Sequence, residues 1–188
     1  MDSFFIYFGC MKIKLKGKLI SSDEPALLAS NRGYRYGDGL FETMLVSAGK
    51  IRLWQLHAER LFGGLEMMKY AVPPLFTAEK LQQAILHLCE QNKCSHLARV
   101  RLSVSRGNGG LYEGDKSLQY IIECWPLDES VKNLNENGLV INVCPDVRKS
   151  CDKFSNLKSA SFQPYSIAAL YAKEHQLNDC LVLNTKES

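Results

Sequence analysis

Residues 98–105 read Ala98-Arg99-Val100-Arg101-Leu102-Ser103-Val104-Ser105, an unbroken alternation of apolar and polar side chains. Successive side chains leave a strand on opposite faces, so this pattern predicts a strand with Ala98, Val100, Leu102 and Val104 turned into a core. The same alternation lifts Arg99 and Arg101 onto the other, polar face. Upstream, residues 12–20 alternate Ile13, Leu15 and Leu19 with Lys12, Lys14, Lys16 and Lys18, which predicts a second strand with a turn near Gly17 and a solvated row of lysines. Residues 41–46 read as a third strand, and Ser47 to Lys50, with Gly49, as a hairpin turn into residues 51–53. Two amphipathic helices should follow. One spans residues 54–70, with Leu61, Leu65 and Met68 on one stripe and Pro73 and Pro74 as its stop. The other spans residues 77–91, opened by Thr77 as N-cap and carrying Leu81, Ala84, Ile85 and Leu88 at helical spacing.

Downstream, residues 118–125 read as a further strand, and the polar, Asn-rich residues 126–137 as a connection between two units. A strand over residues 139–144, an irregular stretch to Lys158, a helix over residues 164–175 and a strand over residues 180–183 complete the pattern. The expected organisation is an extension at 1–11, a small α/β domain at 12–127, a linker at 128–137 and the start of a larger domain at 138–188. Two strands and one helix cannot bury a core unaided, so this last unit reads as cut short.

Composition narrows the function classes. In 188 residues, 23 Lys and Arg face 20 Asp and Glu, a net +3 that is too slight for a phosphate-tracking, nucleic-acid-binding surface. The apolar start, residues 4–11, is too short for a membrane span and lacks the basic lead of a signal peptide, so a cytoplasmic location without membrane contact is expected. Seven scattered cysteines with no CxxC pair read as reduced thiols, neither a disulfide framework nor a zinc site. His57, His87, His96 and His175 show no ligand spacing, and no metal site is expected. The run Gly109 to Ser117 approaches the phosphate loop GxxxxGK[ST], but Asp115 separates its glycine from Lys116 and a strand follows it, so a glycine-rich hairpin loop is the better reading.

Three segments taken together carry more. Asn31-Arg32-Gly33-Tyr34-Arg35-Tyr36-Gly37-Asp38-Gly39-Leu40-Phe41-Glu42-Thr43, then Leu56-His57-Ala58-Glu59-Arg60-Leu61, then Ser155-Asn156-Leu157-Lys158 resemble, in that order and at those separations, the fold-type IV pyridoxal-phosphate enzymes, also called class IV aminotransferases. The family includes branched-chain aminotransferase, D-amino acid aminotransferase and 4-amino-4-deoxychorismate lyase, and the likeness extends from about Lys12 to the last residue. It implies a two-domain α/β (α+β) fold with the cofactor pyridoxal 5′-phosphate held as a Schiff base on Lys158 and Arg60 gripping its phosphate. The chemistry accounts for these residue types: a nucleophilic lysine must be partly neutral, which a desolvated site near positive charge provides, and the planar fork of arginine suits a phosphate.

The resemblance also implies a homodimer acting on a small amino-acid-like substrate, with a loop borrowed across the interface. It places Tyr36 and Phe41 beside the cofactor ring and Arg101 as a clamp for a substrate carboxylate. Ser105-Arg106-Gly107-Asn108-Gly109-Gly110 is similar to the SRGxGG segment of aminodeoxychorismate lyases, which makes Arg106 a candidate substrate contact and a lyase forming 4-aminobenzoate and pyruvate the leading expectation. Leu111 and Tyr112 depart from the arginine and glycine that continue the lyase pattern, Phe41 lacks the hydroxyl that D-amino acid aminotransferases place there, and Ser161 stands where asparagine is usual. The alternatives are a branched-chain or other amino acid aminotransferase and, outside enzymes, an inactive truncated remnant. The family's glutamate against the cofactor's ring nitrogen would fall about 33 residues after Lys158, roughly three positions past Ser188.

Overall fold

The structure is a computed structural model and describes residues 11–186. The extension expected at 1–11 lies, but for Met11, outside the described residues. Among the described residues, eight strands and four α-helices run in the order β1 (Lys12–Leu15), β2 (Lys18–Ser21), α1 (Arg32–Tyr36), β3 (Gly39–Ser47), β4 (Lys50–Ile51), α2 (Trp54–Met67), α3 (Ala78–Gln91), β5 (Leu97–Arg106), β6 (Leu118–Pro126), β7 (Ile141–Val143), α4 (Gln163–Glu174) and β8 (Asp179–Leu181). The first six strands form one antiparallel sheet, ordered β2-β1-β6-β5-β3-β4.

Both predicted hairpins form, and their turns show why. Lys16 and Gly17 sit at φ 49° and 86°, and Ala48 and Gly49 at 50° and 70°. Two successive positive φ values define the type I′ turn whose twist matches that of paired strands. The helix α3 starts where expected, because Thr77 accepts the Lys80 amide at 3.3 Å. The helix α2 stops at Met67, three residues short of the expected end. Lys69 turns left-handed at φ 57° and the Tyr70 amide reaches back to the Leu65 carbonyl at 2.9 Å, a Schellman closure that ends the helix before any proline is met. The helix α1 was not expected: its five residues carry no apolar period, and it exists because Asn31 caps the Tyr34 amide at 3.2 Å.

Residues of β5 and β6 pair across the whole length of both strands, with Val100 opposite Met44 on one side and Cys124 on the other. Their inward faces pack beneath α2 and α3, where Leu65, Ile85, Leu88, Leu102 and Ile122 are fully buried. Leu65→Ala would leave a cavity at the centre of this layer and should lower unfolding free energy by about 2–5 kcal/mol in urea titration. A loss under about 1 kcal/mol would mean that the core re-closes. One detail of the lysine row differs from expectation. Register places Lys14 opposite Ile122, on the helix-covered side, where burial pushes its ammonium pKa down.

Residues 107–117 join β5 to β6 as a hairpin loop, with no helix after them, so the phosphate-loop reading is set aside on geometry. Beyond residue 126, the strands β7 and β8 pair in parallel, joined through α4. This unit buries Ala168, Ala172 and Cys144 but leaves Leu139, Val140, Ile141, Leu170 and Leu181 exposed.

Candidate active site

The edge of β3 is unoccupied by β4 along residues 39–41, because β4 pairs only with Val46 and Ser47. Residues 158–160 take that edge. The Phe41 amide donates to the Lys158 carbonyl at 2.9 Å and the Ala160 amide to the Gly39 carbonyl at 2.8 Å, with Leu40 opposite Ser159. Opposed residues of an antiparallel pair share a face. Lys158 therefore emerges on the side of Phe41, while Leu157 turns the other way and packs against the core cluster.

Gly39 is the residue that allows this approach. A Cβ there would stand 2.6 Å from the Val104 carbonyl oxygen and 3.4 Å from the Ala160 Cβ. Gly39→Ala should therefore force β3 away from Val104 of β5 and, through that shift, loosen the docked segment beside it, costing about 1–3 kcal/mol and accelerating amide hydrogen exchange at Phe41 and Ala160. Unchanged exchange at both amides would show that the segment is held by something else.

Arg60, on α2, reaches the same place from beneath the sheet. Its Nε and Nη2 donate to Oε1 and Oε2 of Glu42 at 2.7 and 2.5 Å, a fork-to-fork pair, and the His57 ring nitrogen Nδ1 lies 2.7 Å from Glu42 Oε2. The Glu42 side chain is 2% exposed and that of Arg60 47%. A buried carboxylate thus fixes one edge of a half-exposed guanidinium and leaves Nη1 without a bond among the described residues. Glu42 had no role assigned from sequence, although a signal existed: it interrupts the inward series Leu40, Met44, Val46 with a charge.

Lys158 and Arg60 line one open cavity of about 700 Å³, together with Arg148, Lys149, Ser155, Asn156, Ser161, Phe162 and Tyr165. The Lys158 ammonium lies 4.5 Å from the Phe41 ring centroid. Burial pushes the Lys158 pKa down, the Arg60 and Arg101 charges push in the same direction, and Glu42 opposes them. Phe41 is 4% exposed and meets Phe162 edge-on at 5.4 Å, and Phe162 stacks on Tyr165 at 4.6 Å.

Arg101 stacks on the same ring, its Cζ 4.0 Å from the Phe41 centroid, and its Nε donates to Ser103 Oγ at 3.1 Å. It lines a second cavity, of about 120 Å³, with Tyr34, Ser103, Ser105, Gln119 and Ile121. Among the described residues Arg101 makes no salt bridge, although Glu123 stands opposite it on β6; burial pushes the Arg101 pKa down and the Glu123 charge opposes that shift. A half-buried guanidinium without a direct carboxylate partner can receive an anion.

The other two sequence candidates lie apart. Tyr36 is exposed at the end of α1, lines neither cavity and sits 5.9 Å beneath the Arg32 guanidinium; Tyr34 lines the second cavity instead. Arg106 donates to Asp38 Oδ1 at 2.6 Å and to the Met68 carbonyl, and covers the Tyr70 ring at 4.4 Å. The rest of its segment is engaged in the same way. Asn31 Nδ2 donates to Ser105 Oγ, the Arg32 amide to the Gly107 carbonyl, and the Gly109 amide to the Ser30 carbonyl.

The residues fit pyridoxal phosphate. The aldehyde requires an amine with a depressed pKa and the phosphate a cationic fork with free N–H groups; Lys158 and Arg60 supply these on one cavity of ligand size. The family model for amino-transferase class IV matches residues 39–188. The chain belongs to the class IV aminotransferases.

Among relatives of this chain, D-alanine aminotransferase of Listeria monocytogenes serotype 1/2a (strain 10403S) is 22% identical, over 93% of this chain and 64% of that protein. A putative branched-chain-amino-acid aminotransferase of Methanocaldococcus jannaschii is 30% identical over 54% of this chain and 34% of its own length. In fold, the class IV chain superposes on the branched-chain aminotransferase of Thermoproteus uzoniensis with norvaline at a TM-score of 0.78 and 21% identity, over 95% of this chain and 61% of that one. The chain spans just under two thirds of the Listeria monocytogenes and Thermoproteus uzoniensis proteins. No helix among the described residues is long and apolar enough to cross a membrane.

Proposed function

We propose that this chain carries the Lys158 side of a pyridoxal-phosphate aminotransferase that moves an amino group between an amino acid and a 2-oxo acid. The observation that carries the reading is the convergence of Lys158 and Arg60 on one cavity, with Arg101 on the same Phe41 ring. Bound pyridoxal phosphate supplies an aldehyde to take the amine and a ring that accepts electrons.

The chain's own residues do the rest. Arg60 Nη1, held in place by the Glu42 grip, binds the cofactor's phosphate. Lys158 Nζ, its pKa lowered by burial and by two neighbouring arginines, would hold the cofactor's aldehyde end and is the base suited to the substrate's α-proton. Phe41 closes the floor of the site and excludes water, and Arg101 receives the substrate carboxylate. Tyr36 and Arg106 act on the site only indirectly in this reading. Tyr36 borders α1, and Arg106 ties β5 to Asp38 and to the end of α2.

The lyase is the second reading, supported by the likeness of residues 105–110 to the lyase segment. Its weight is reduced by the bonds those residues make to the α1 region and to Asp38, which leave Arg106 outside both cavities. The homodimer remains part of the proposal, resting on the family resemblance alone.

The test loads the protein with pyridoxal phosphate, reduces it with borohydride and maps the labelled peptide. A pyridoxyl group on Lys158 supports the reading, and its absence there overturns it. Assays with D-alanine or leucine plus 2-oxoglutarate, run beside aminodeoxychorismate, then separate the branches: oxo-acid exchange without 4-aminobenzoate supports the transferase, and 4-aminobenzoate release supports the lyase.

A further inference from the structure

The sequence presents its cysteines as scattered, yet the fold gathers three of them. Cys89 ends the buried stripe of α3, Cys94 follows one turn later, and Cys124 faces them from β6. Lys93, left-handed at φ 55°, reverses the chain so that the Cys94 amide bonds the Cys89 carbonyl at 2.9 Å. The three Sγ atoms lie within 4.8 Å of one another, Cys94 and Cys124 at 3.6 Å, and the residues are 0%, 4% and 3% exposed. Asn92 fixes the rim. Its side-chain oxygen accepts the Lys12 amide at 2.9 Å, while its Nδ2 donates to the Lys12 carbonyl at 2.7 Å and to Cys124 Sγ at 3.1 Å.

We propose that Cys89, Cys94 and Cys124 form a three-thiol binding site for a trivalent thiophilic ion of the arsenite class. Geometry admits a shared centre: three sulfurs bonded at about 2.3 Å to one ion stand about 4 Å apart when planar and closer when pyramidal. Charge selects among the soft ions. Three thiolates on a monovalent ion would leave two negative charges, and on a divalent ion one, within the buried core cluster that also holds Ile85, Leu88, Ala98 and Val100. Uncompensated charge there is costly, whereas a trivalent ion with three thiolates is neutral.

Coordination number points the same way. Zinc needs a fourth ligand, and the side-chain oxygen of Asn92, whose amide nitrogen meets Cys124, is already bound to the Lys12 amide. A three-coordinate pyramidal centre needs none. In the binding step three arsenic–oxygen bonds of arsenous acid break and three arsenic–sulfur bonds form. Each thiol proton leaves with a hydroxide as water, and no atom changes oxidation state. Entry requires a brief opening at the start of β1, where Lys12 is bonded to the Asn92 side chain.

Arsenite is the probe. The native protein is incubated with sodium arsenite, freed of excess, unfolded in urea, alkylated and mapped, beside a sample without arsenite. One arsenic per chain is expected, with Cys89, Cys94 and Cys124 protected and Cys151 and Cys180 alkylated; all cysteines should alkylate in the control. The variant Cys10→Ser/Cys151→Ser/Cys180→Ser should retain one arsenic, and Cys124→Ala should lose it on washing. Cys124→Ala removes a core sulfur; if it fails to fold, the triple serine variant decides alone. The proposal falls if no adduct forms, if arsenic is held outside the trio, if two thiols oxidise to a disulfide instead, or if equimolar zinc blocks uptake.

Discussion

Arg60→Ala is expected to unfold at markedly lower urea, losing about 3 kcal/mol. The reason lies with its partner. Glu42 has a side chain 2% exposed on the helix-covered side of β3, and Arg60 supplies two of its bonds. Removing one member of such a pair leaves a buried carboxylate whose one remaining side-chain partner among the described residues is His57, a loss of about 3–5 kcal/mol in fully buried cases. The lower end applies because Arg60 is half-exposed and water can follow it into the gap. The double variant Arg60→Ala/Glu42→Gln should regain much of the loss, since the uncompensated charge is then gone. The same variant should lose the thermal stabilisation that added pyridoxal phosphate gives the parent. A single variant as stable as the parent would show that Glu42 is not held by the guanidinium.

Lys158→Met should abolish borohydride labelling and reduce turnover of the active enzyme by more than the roughly 10²–10⁴-fold expected for loss of a proton-transfer group alone, because the covalent anchor goes with it. Its effect on stability should have the opposite sign. Burial holds the folded pKa of Lys158 below its unfolded value, so between the two the unfolded chain binds more protons and stability rises with pH. Below the folded pKa the charged amine carries its whole penalty. The methionine variant should therefore be more stable than the parent at neutral pH, with the difference shrinking as pH rises through the lysine's folded pKa toward its ordinary value. Urea midpoints at pH 7 and pH 10 test this. An advantage that grows with pH would contradict it.

The large elements were legible because each had its own periodicity. β5 follows the alternation of residues 98–105, and α3 follows a Thr cap and an apolar stripe. What escaped depends on contacts between distant residues. The short α1 carries no period and rests on Asn31 and its bonds to residues 105–109. The early end of α2 is set by Lys69 in a left-handed conformation, which a sequence scan for proline does not register. At the site, no spacing rule joins Arg60 to Lys158 across almost a hundred residues; the family resemblance brought them together, and β3 supplies the physical reason. Glu42, and the meeting of Cys89, Cys94 and Cys124, needed strand register to be seen.

The stitch between residues 158–160 and the edge of β3 makes placement of the reactive amine a quantised matter. A side chain on a loose loop can drift by fractions of an ångström, but a ladder shifts only in whole-residue steps of about 3.3 Å, and a single step turns every side chain to the opposite face. One notch in either direction would offer Leu157 or Ser159 to the ring of Phe41 in place of the amine. Errors of alignment at this centre are therefore all-or-nothing: a molecule is either correctly threaded and competent, or misthreaded and silent, with no sluggish intermediates between.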